Sequence, residues 1–295
     1  MAEPTICERI AIIGLGLIGS SLARLVRRDG LVGHIAGCAR SDETRVRAEE
    51  LGLVDSIDAD PAACVRDADI VVLCTPIGAY SGLAATIAAS LKPGAIVTDV
   101  GSVKQAVIRD VGPQMPNGTH FVPAHPVAGT ERSGPESGFA ELFNGHWCIL
   151  TPPPETSQEA VDRVAELWHR AGMMIEIMDP AHHDLVLAVT SHLPHLIAYN
   201  IVGTAADLEE VTRSEVFKYA AGGFRDFTRI AASDPIMWRD VFLNNQGAVL
   251  EMLGRFTEDL TALQRAIRWG DGEALETLFR RTRELRRGIV DAGQA

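Results

Sequence analysis

Lysine is nearly missing from this chain. Of its 27 lysines and arginines only Lys92, Lys104 and Lys218 are lysines, and the helical pattern from His182 to Ala205 holds none, which argues against chemistry that relies on an amine delivered from that segment. Basic charge is also outweighed: 39 acidic residues leave a formal net charge of −12, and a nucleic-acid partner, which needs a basic face to neutralise phosphates, is not expected. Cysteine pairing is absent as a pattern. The five cysteines, Cys7, Cys38, Cys64, Cys74 and Cys148, are odd in number and form no C-x-x-C. Lying mostly in apolar, strand-like surroundings, they read as reduced, buried thiols in the cytoplasm. No basic leader followed by an apolar core opens the chain, and no apolar stretch approaches the ~18 residues of a membrane span, so a soluble cytoplasmic protein without membrane contact is expected. Internal repeats and low-complexity segments are missing as well, and no further module is expected after the helices.

What is present begins with a fingerprint. A β-branched run from Arg9 to Ile13 feeds Gly14-Leu15-Gly16-Leu17-Ile18-Gly19, after which Leu22, Ala23, Leu25 and Val26 fall at helical spacing. Strand, G-x-G-x-x-G and helix in that order make a dinucleotide-binding turn. Gly14 takes the tight bend, Gly16 lets the backbone approach a pyrophosphate, Gly19 lets the helix pack closely, and Leu17 and Ile18 open the helix at the phosphates. The second strand, His34 to Ala39, is followed by Arg40 and Ser41. An NAD site usually presents an acid here to the ribose, while an arginine receives the 2′-phosphate of NADP. Ala39 stands at the acid's position. Arg40 and Ser41 either meet that phosphate, or Arg40 covers the adenine and Ser41 caps the helix Asp42 to Leu51. The coenzyme is thus NAD or NADP.

Strand and helix then alternate: helix Pro61 to Asp67, strand Ile70 to Cys74 ending at Thr75 and Pro76 beside the dinucleotide, helix Ser81 to Leu91, strand Ala95 to Thr98, helix Val103 to Val111 and strand Phe121 to Pro123. This rhythm predicts a doubly wound parallel sheet. Ligands in such sheets lie beyond the carboxyl ends of the strands, so Ser102 and His125 should both open onto the crevice near the reactive ring of the dinucleotide. His125 is the candidate acid/base. A loop rich in Gly, Pro and Ser leads on to Trp147–Leu150, a helix Gln158 to Ala171 and Met173 to Met178, and a first domain, residues 1–179, is expected to end there.

From Pro180 helical periodicity takes over and predicts an all-helical second domain, residues 180–295. His182 to Ala205 places Leu185, Val189, Leu193, Leu196 and Ile197 on one stripe with a kink at Pro194, and Trp238 to Leu263 and Glu273 to Ile289 are two further amphipathic helices. Wide apolar stripes with few strands to cover them point to a homodimer. Lys104 reads as a helix starter, and His182 and His183 as exposed residues at a helix start. His192-x-x-His195 lacks a third ligand at a recognisable spacing, so no metal site is expected.

Five segments together resemble the prephenate/arogenate dehydrogenase family: G-L-G-L-I-G-S-S from Gly14, T-D-V-G-S-V-K from Thr98, H-P-V-A-G-T-E-R-S-G from His125, S-H-L-P-H from Ser191, and G-G-F-R-D-F-T-R-I-A with S-D-P-I-M-W-R-D between Gly222 and Asp240. The likeness spans essentially the whole chain. It implies a Rossmann-type domain joined to a helical dimerisation domain. It also implies oxidation of prephenate to 4-hydroxyphenylpyruvate, or of arogenate to tyrosine, with NAD or NADP and loss of CO2, in tyrosine biosynthesis. By the same resemblance His125 is the catalytic histidine, and Ser102 hydrogen-bonds it or the substrate hydroxyl close to the nicotinamide. Arg229 grips a substrate carboxylate and His195 contacts the substrate side chain. Glu131, beside Thr130, pairs across the pocket mouth and gates it, and Trp238 reaches the site from the partner subunit. Arg225 is a further substrate-side candidate. Two rival readings are weaker. A β-hydroxyacid-type dehydrogenase relies on a lysine in the helix that opens its second domain, and none is present there. A non-catalytic dinucleotide-binding protein needs the glycines but not Ser102, His125 and Arg229 together.

Overall fold

The computed structural model of the chain describes residues 4–208, 215–216 and 218–291. Strands β1 (Cys7–Ile13), β2 (Val32–Cys38), β3 (Ser56–Asp58), β4 (Ile70–Leu73), β5 (Ile96–Asp99) and β6 (His120–Val122) form one parallel sheet in the order β3-β2-β1-β4-β5-β6. Ile13 pairs with Cys38 and Leu73, and Leu73 with Asp99, so the carboxyl ends of the central strands stand in line. The order reverses between β1 and β4, where an open α/β sheet leaves its ligand crevice. Every residue of β4 and β5 is buried, as expected of parallel strands covered on both faces.

Helices α1 (Leu17–Arg28), α2 (Asp42–Glu50), α3 (Pro61–Cys64), α4 (Tyr80–Ile87) and α5 (Lys104–Val111) make the crossovers. Leu22 and Leu25 of α1 share one core with Val164 and Trp168 of α6 (Gln158–Arg170). Tyr80, Ala84, Val107 and Val111 fill the other face. A second sheet follows, β7 (Ala124–Pro126), β8 (Trp147–Leu150) and β9 (Met174–Ile177), with β7 antiparallel to β8 and β8 parallel to β9. The expected strand Phe121 to Pro123 is β6, which ends at Val122, and an unexpected strand, β7, begins just past Pro123 in a different sheet. Pro123 divides them because it has no N–H for either ladder.

Helices α7 (Pro180–Leu187) and α8 (Leu193–Ala206) are joined through a π-helical turn, Ala188–His192. The expected kink therefore falls just ahead of Pro194. The expected apolar stripe is corrected as well: Leu185 and Val189 are exposed, and the face turned inward carries His183, Asp184, Leu187, Ala188 and His192. Side chains of opposite polarity are buried there because they satisfy one another and the start of α5. By length and composition alone, Pro180–Ala206 is long and apolar enough to cross a membrane, contrary to the expectation that no stretch approaches that size. Its buried polar groups are committed to the sheet domain, which gives this helical run a partner in the fold.

Past α9 (Gly222–Thr228), the single helix expected from Trp238 to Leu263 is two, α10 (Pro235–Asn244) and α11 (Gln246–Trp269), followed by α12 (Gly272–Asp291). Asn245 interrupts them because its side-chain amide donates to the Asp184 carbonyl at 2.8 Å and meets His192 Nδ1 at 3.1 Å. By packing, one compact unit ends at Gln246 and a second begins at Gly247. The helices up to Asn245 belong to the first unit because α7 packs on α5, and Trp238 and Val241 enter the core of the sheet.

Candidate active site

The glycine turn is built for close approach. Gly14 has φ of 98°, and a Cβ there would stand 2.7 Å from the Cys74 carbonyl oxygen, while a Cβ on Gly19 would collide with the Gly14 carbonyl. A Cβ on Gly16 would meet nothing within 4 Å. That open space lies at the amino end of α1, which has no side-chain cap and no acid in its first turn. Its free N–H groups and positive helix end, at Leu17 and Ile18, suit a pyrophosphate. Thr75, half-buried beside Gly14, has an enclosed hydroxyl without a partner among the described residues, and Pro76 follows exposed. A dinucleotide fits this cradle.

At the end of β2 the Ser41 hydroxyl caps α2, accepting from Thr44 N at 3.1 Å and donating to Thr44 Oγ1 at 2.8 Å. Arg40 is exposed, and its side chain forms no ion pair among the described residues. Sequence reasoning passed over Arg45, whose Nη1 donates to the carbonyls of Ala39 and Arg40 at 2.7 and 2.9 Å while it pairs with Asp42. It pins the turn that presents Arg40.

Beyond β5 the chain places a buried ion pair. Lys104 Nζ reaches Asp99 Oδ2 at 2.6 Å and also donates to the Ala124 carbonyl at 2.6 Å, while Asp99 Oδ1 accepts from Ala124 N at 3.1 Å. Ala124 is the residue where the chain leaves the first sheet for the second. Both its peptide groups would be orphaned there, and Asp99 and Lys104 satisfy them. Burial pushes the Asp99 carboxyl above and the Lys104 ammonium below their ordinary values, while their partnership opposes both shifts. Lys104 is therefore corrected from helix starter to the fully buried clamp of β7. A cation is unfavourable in the first turn of a helix, and one of only three lysines at such a position was the available signal.

His125 is the middle residue of β7, separated from the end of β6 by Pro123 and Ala124, with 7% of its surface exposed. Its Nδ1 lies 2.9 Å from His183 Nε2, and His183 Nδ1 lies 2.8 Å from Asp184 Oδ1. Its Nε2 has no hydrogen bond to a described residue and is not among the enclosed polar atoms. Burial, reinforced by His183, Lys104 and His192, pushes the His125 pKa well below 6.5, so the ring is neutral near pH 7. His183 is fully buried, which corrects its reading as exposed. His182 is exposed. Asp179 caps α7 by accepting from the N–H groups of Ala181 and His182, and this fixes which residue of the pair turns inward. Ser102, half-buried, makes no hydrogen bond to His125 among the described residues.

On the helical side, Arg229 Nη1 pairs with Glu131 Oε2 at 2.8 Å. Glu131's own backbone N–H and Arg229 hold its carboxyl below the ordinary range. His195 donates from Nδ1 to the Ser191 carbonyl at 2.9 Å and stacks on Trp238 with ring centroids 3.6 Å apart. Burial lowers the His195 pKa. Trp238 is thus seated against its own chain, where the Asp234 cap starts α10 one turn ahead of it. The histidines of His192-x-x-His195 are engaged separately, His192 by Asn245 and His195 by Trp238. Thr130 is exposed, accepting from Arg132 N at 3.2 Å, and Arg225 is exposed on α9.

A dinucleotide cradle on the first strand-to-helix turn, with a neutral imidazole past the strand ends, defines a dinucleotide-dependent dehydrogenase. The family model for the nucleotide-binding domain of prephenate dehydrogenase matches residues 22–177, and that for its dimerization domain matches residues 179–281. The chain belongs to the prephenate dehydrogenase family. It is 44% identical to a cyclohexadienyl dehydrogenase of Zymomonas mobilis over 96% of each chain. It resembles the crystal structure of prephenate dehydrogenase from Aquifex aeolicus in complex with hydroxyphenyl propionate and NAD+, with TM-score 0.87 and 36% identity, covering 96% of this chain and 98% of that one. It also resembles the Synechocystis arogenate dehydrogenase structure, with TM-score 0.78 and 30% identity, covering 95% of this chain and 99% of that one.

Proposed function

We propose that this protein oxidises prephenate, arogenate or both with loss of CO2, and that His125 is the acid/base. The observation that carries the reading is the His125 ring, whose Nδ1 is occupied and whose Nε2 is left for substrate. The Gly14–Gly19 turn and the head of α1 hold the dinucleotide, which accepts the hydride when bound. Nε2 takes the carbinol proton as the carbon loses hydride. The electron pair of the C–CO2 bond then moves into the ring, aromaticity is restored, and Nε2–H returns the proton to the oxygen that becomes the phenol. His125 is therefore a base and then an acid within one turnover. Ser102 orients the hydroxyl, and His195 and Trp238 border the substrate side chain.

Arg229 binds a substrate carboxylate in exchange for Glu131, since a guanidinium fork matches a carboxylate in charge and geometry. Arg229→Ala is expected mainly to raise KM, because a group that holds ground and transition states alike acts on binding. Steady-state kinetics with an unchanged KM would remove Arg229 from this role.

With no acid at Ala39 to repel a 2′-phosphate, and with Arg40 exposed beside it, the turn admits NADP as well as NAD. Matched to a dimerization domain, and with Leu260, Ile267, Trp269 and Phe279 exposed on α11 and α12, the chain acts as a homodimer. Its five cysteines are free, in keeping with a reducing cytoplasmic setting. The deciding experiment follows reduced-coenzyme absorbance with each substrate and each coenzyme in all four pairings. Absence of turnover in every pairing would overturn the proposal.

A further inference from the structure

We propose that Asp184 and His183 are positioning residues that fix the tautomer of His125, so that Nε2 is the unprotonated nitrogen facing the crevice. The proposal rests on the acid/base role of His125 for its kinetic consequence, but not for its geometry. An ionised carboxylate can only accept hydrogen bonds, and this sets the direction of the whole chain. Asp184 Oδ1 accepts from Lys104 N at 2.7 Å, and Oδ2 accepts from Gln105 N at 3.0 Å and Gln105 Nε2 at 3.3 Å. Burial raises the Asp184 pKa, but His183 and these N–H donors outweigh it and leave the carboxyl below its ordinary value.

The proton between Asp184 and His183 at 2.8 Å therefore sits on His183 Nδ1. Burial keeps His183 neutral, so its Nε2 is a lone pair. The only proton that can fill the 2.9 Å contact with His125 is then on His125 Nδ1. A neutral His125 with a proton on Nδ1 has none on Nε2. The carboxylate thus decides, two rings away, which nitrogen of His125 accepts the substrate proton.

The same groups accommodate the charge that forms. Lys104 is matched by Asp99, which leaves Asp184 as the buried anion without a cation of its own among the groups that face His125: His183, Lys104, His192 and Asp99. When Nε2 takes the hydroxyl proton, the imidazolium on His125 becomes that cation, held through His183. Returning the proton to the oxygen that becomes the phenol restores the neutral imidazole.

The test uses the whole enzyme labelled with 15N on its imidazole nitrogens, with the His125 signals assigned by their loss in His125→Asn. Near pH 7, His125 is expected to show a protonated Nδ1 and an unprotonated Nε2. The opposite tautomer in the unaltered enzyme would overturn the proposal. Asp184→Asn puts an amide N–H where the carboxylate only accepted, facing His183 Nδ1 and Lys104 N on one edge or Gln105 on the other, so the fixed order of donors is lost and His125 is expected to gain the tautomer with its proton on Nε2. The expected kcat is lower by on the order of 10²-fold or more at little change in KM. Asp184 also caps α5, so a second pair of variants tests the relay without it. His183→Leu is expected to lose kcat about 10²-fold, whereas His183→Gln, whose Oε1 still accepts from His125 Nδ1, should recover roughly tenfold or more. Equal activity of the Leu and Gln variants would sink the relay. A chain that turns over neither substrate would remove the catalytic reading and leave the tautomer measurement standing, so the two failures are told apart.

Discussion

Replacing His125 by Asn is expected to lower kcat by roughly 10²- to 10⁴-fold, the range for loss of a general base, with KM largely kept. Asn has nearly the reach of Nδ1 and can satisfy His183 Nε2 by donating its amide N–H, so the contact at 2.9 Å need not collapse. No group then stands at Nε2 to take the carbinol proton. The unaltered enzyme carries a companion signature. Its base form is the neutral ring, and burial holds the His125 pKa well below 6.5, so kcat/KM should fall only as the pH drops beneath the ordinary histidine range. In His125→Asn that acid limb should disappear. A pH–rate profile for both proteins checks the two statements together. Near-full kcat in the variant would assign proton transfer to another group.

The second large effect is on stability. Lys104→Met removes the ammonium that faces Asp99 and the Ala124 carbonyl at 2.6 Å. It leaves the buried Asp99 carboxylate without its cation, served only by Gly101 N and Ala124 N, and the Ala124 carbonyl without the lysine donor. Losing one partner of a buried pair costs about 3–5 kcal/mol, a large share of the net stability of a domain. The urea midpoint should drop accordingly. Lys104→Met paired with Asp99→Leu should be milder than the sum of the two single changes, because the orphaned charge is then gone. Additive losses would show that the two side chains act independently. Because the pair grips the residue next to His125, the single variant should lose kcat as well as stability.

The glycine turn, the strand and helix alternation and the position of His125 at a strand end were legible because each rests on local rules of spacing. Long-range satisfaction was not. Lys104 and His183 look ordinary beside their neighbours in sequence, and their roles depend on Ala124, twenty residues past Lys104, and on His125, 58 residues before His183. The inward face of α7 was misread for the same reason: Leu185 and Val189 follow a hydrophobic pattern, while the sheet takes His183 and Asp184 instead. A functional network that is polar and buried contradicts the binary pattern where it stands. The second sheet was missed because β7 has only three residues, two of them Ala and Pro.

The π-helical turn at Ala188–His192 sets the angular phase of everything after it. On a regular helix each four-residue step drifts by about 40°, and the wider turn takes part of that drift back, so that His192 and the Asp184 carbonyl share the Asn245 amide. Deleting one residue there would let the regular winding close and swing His195 by about 100° about the axis, off its stack with Trp238. What positions the substrate-side histidine is therefore the length of this stretch as much as the side chains on it.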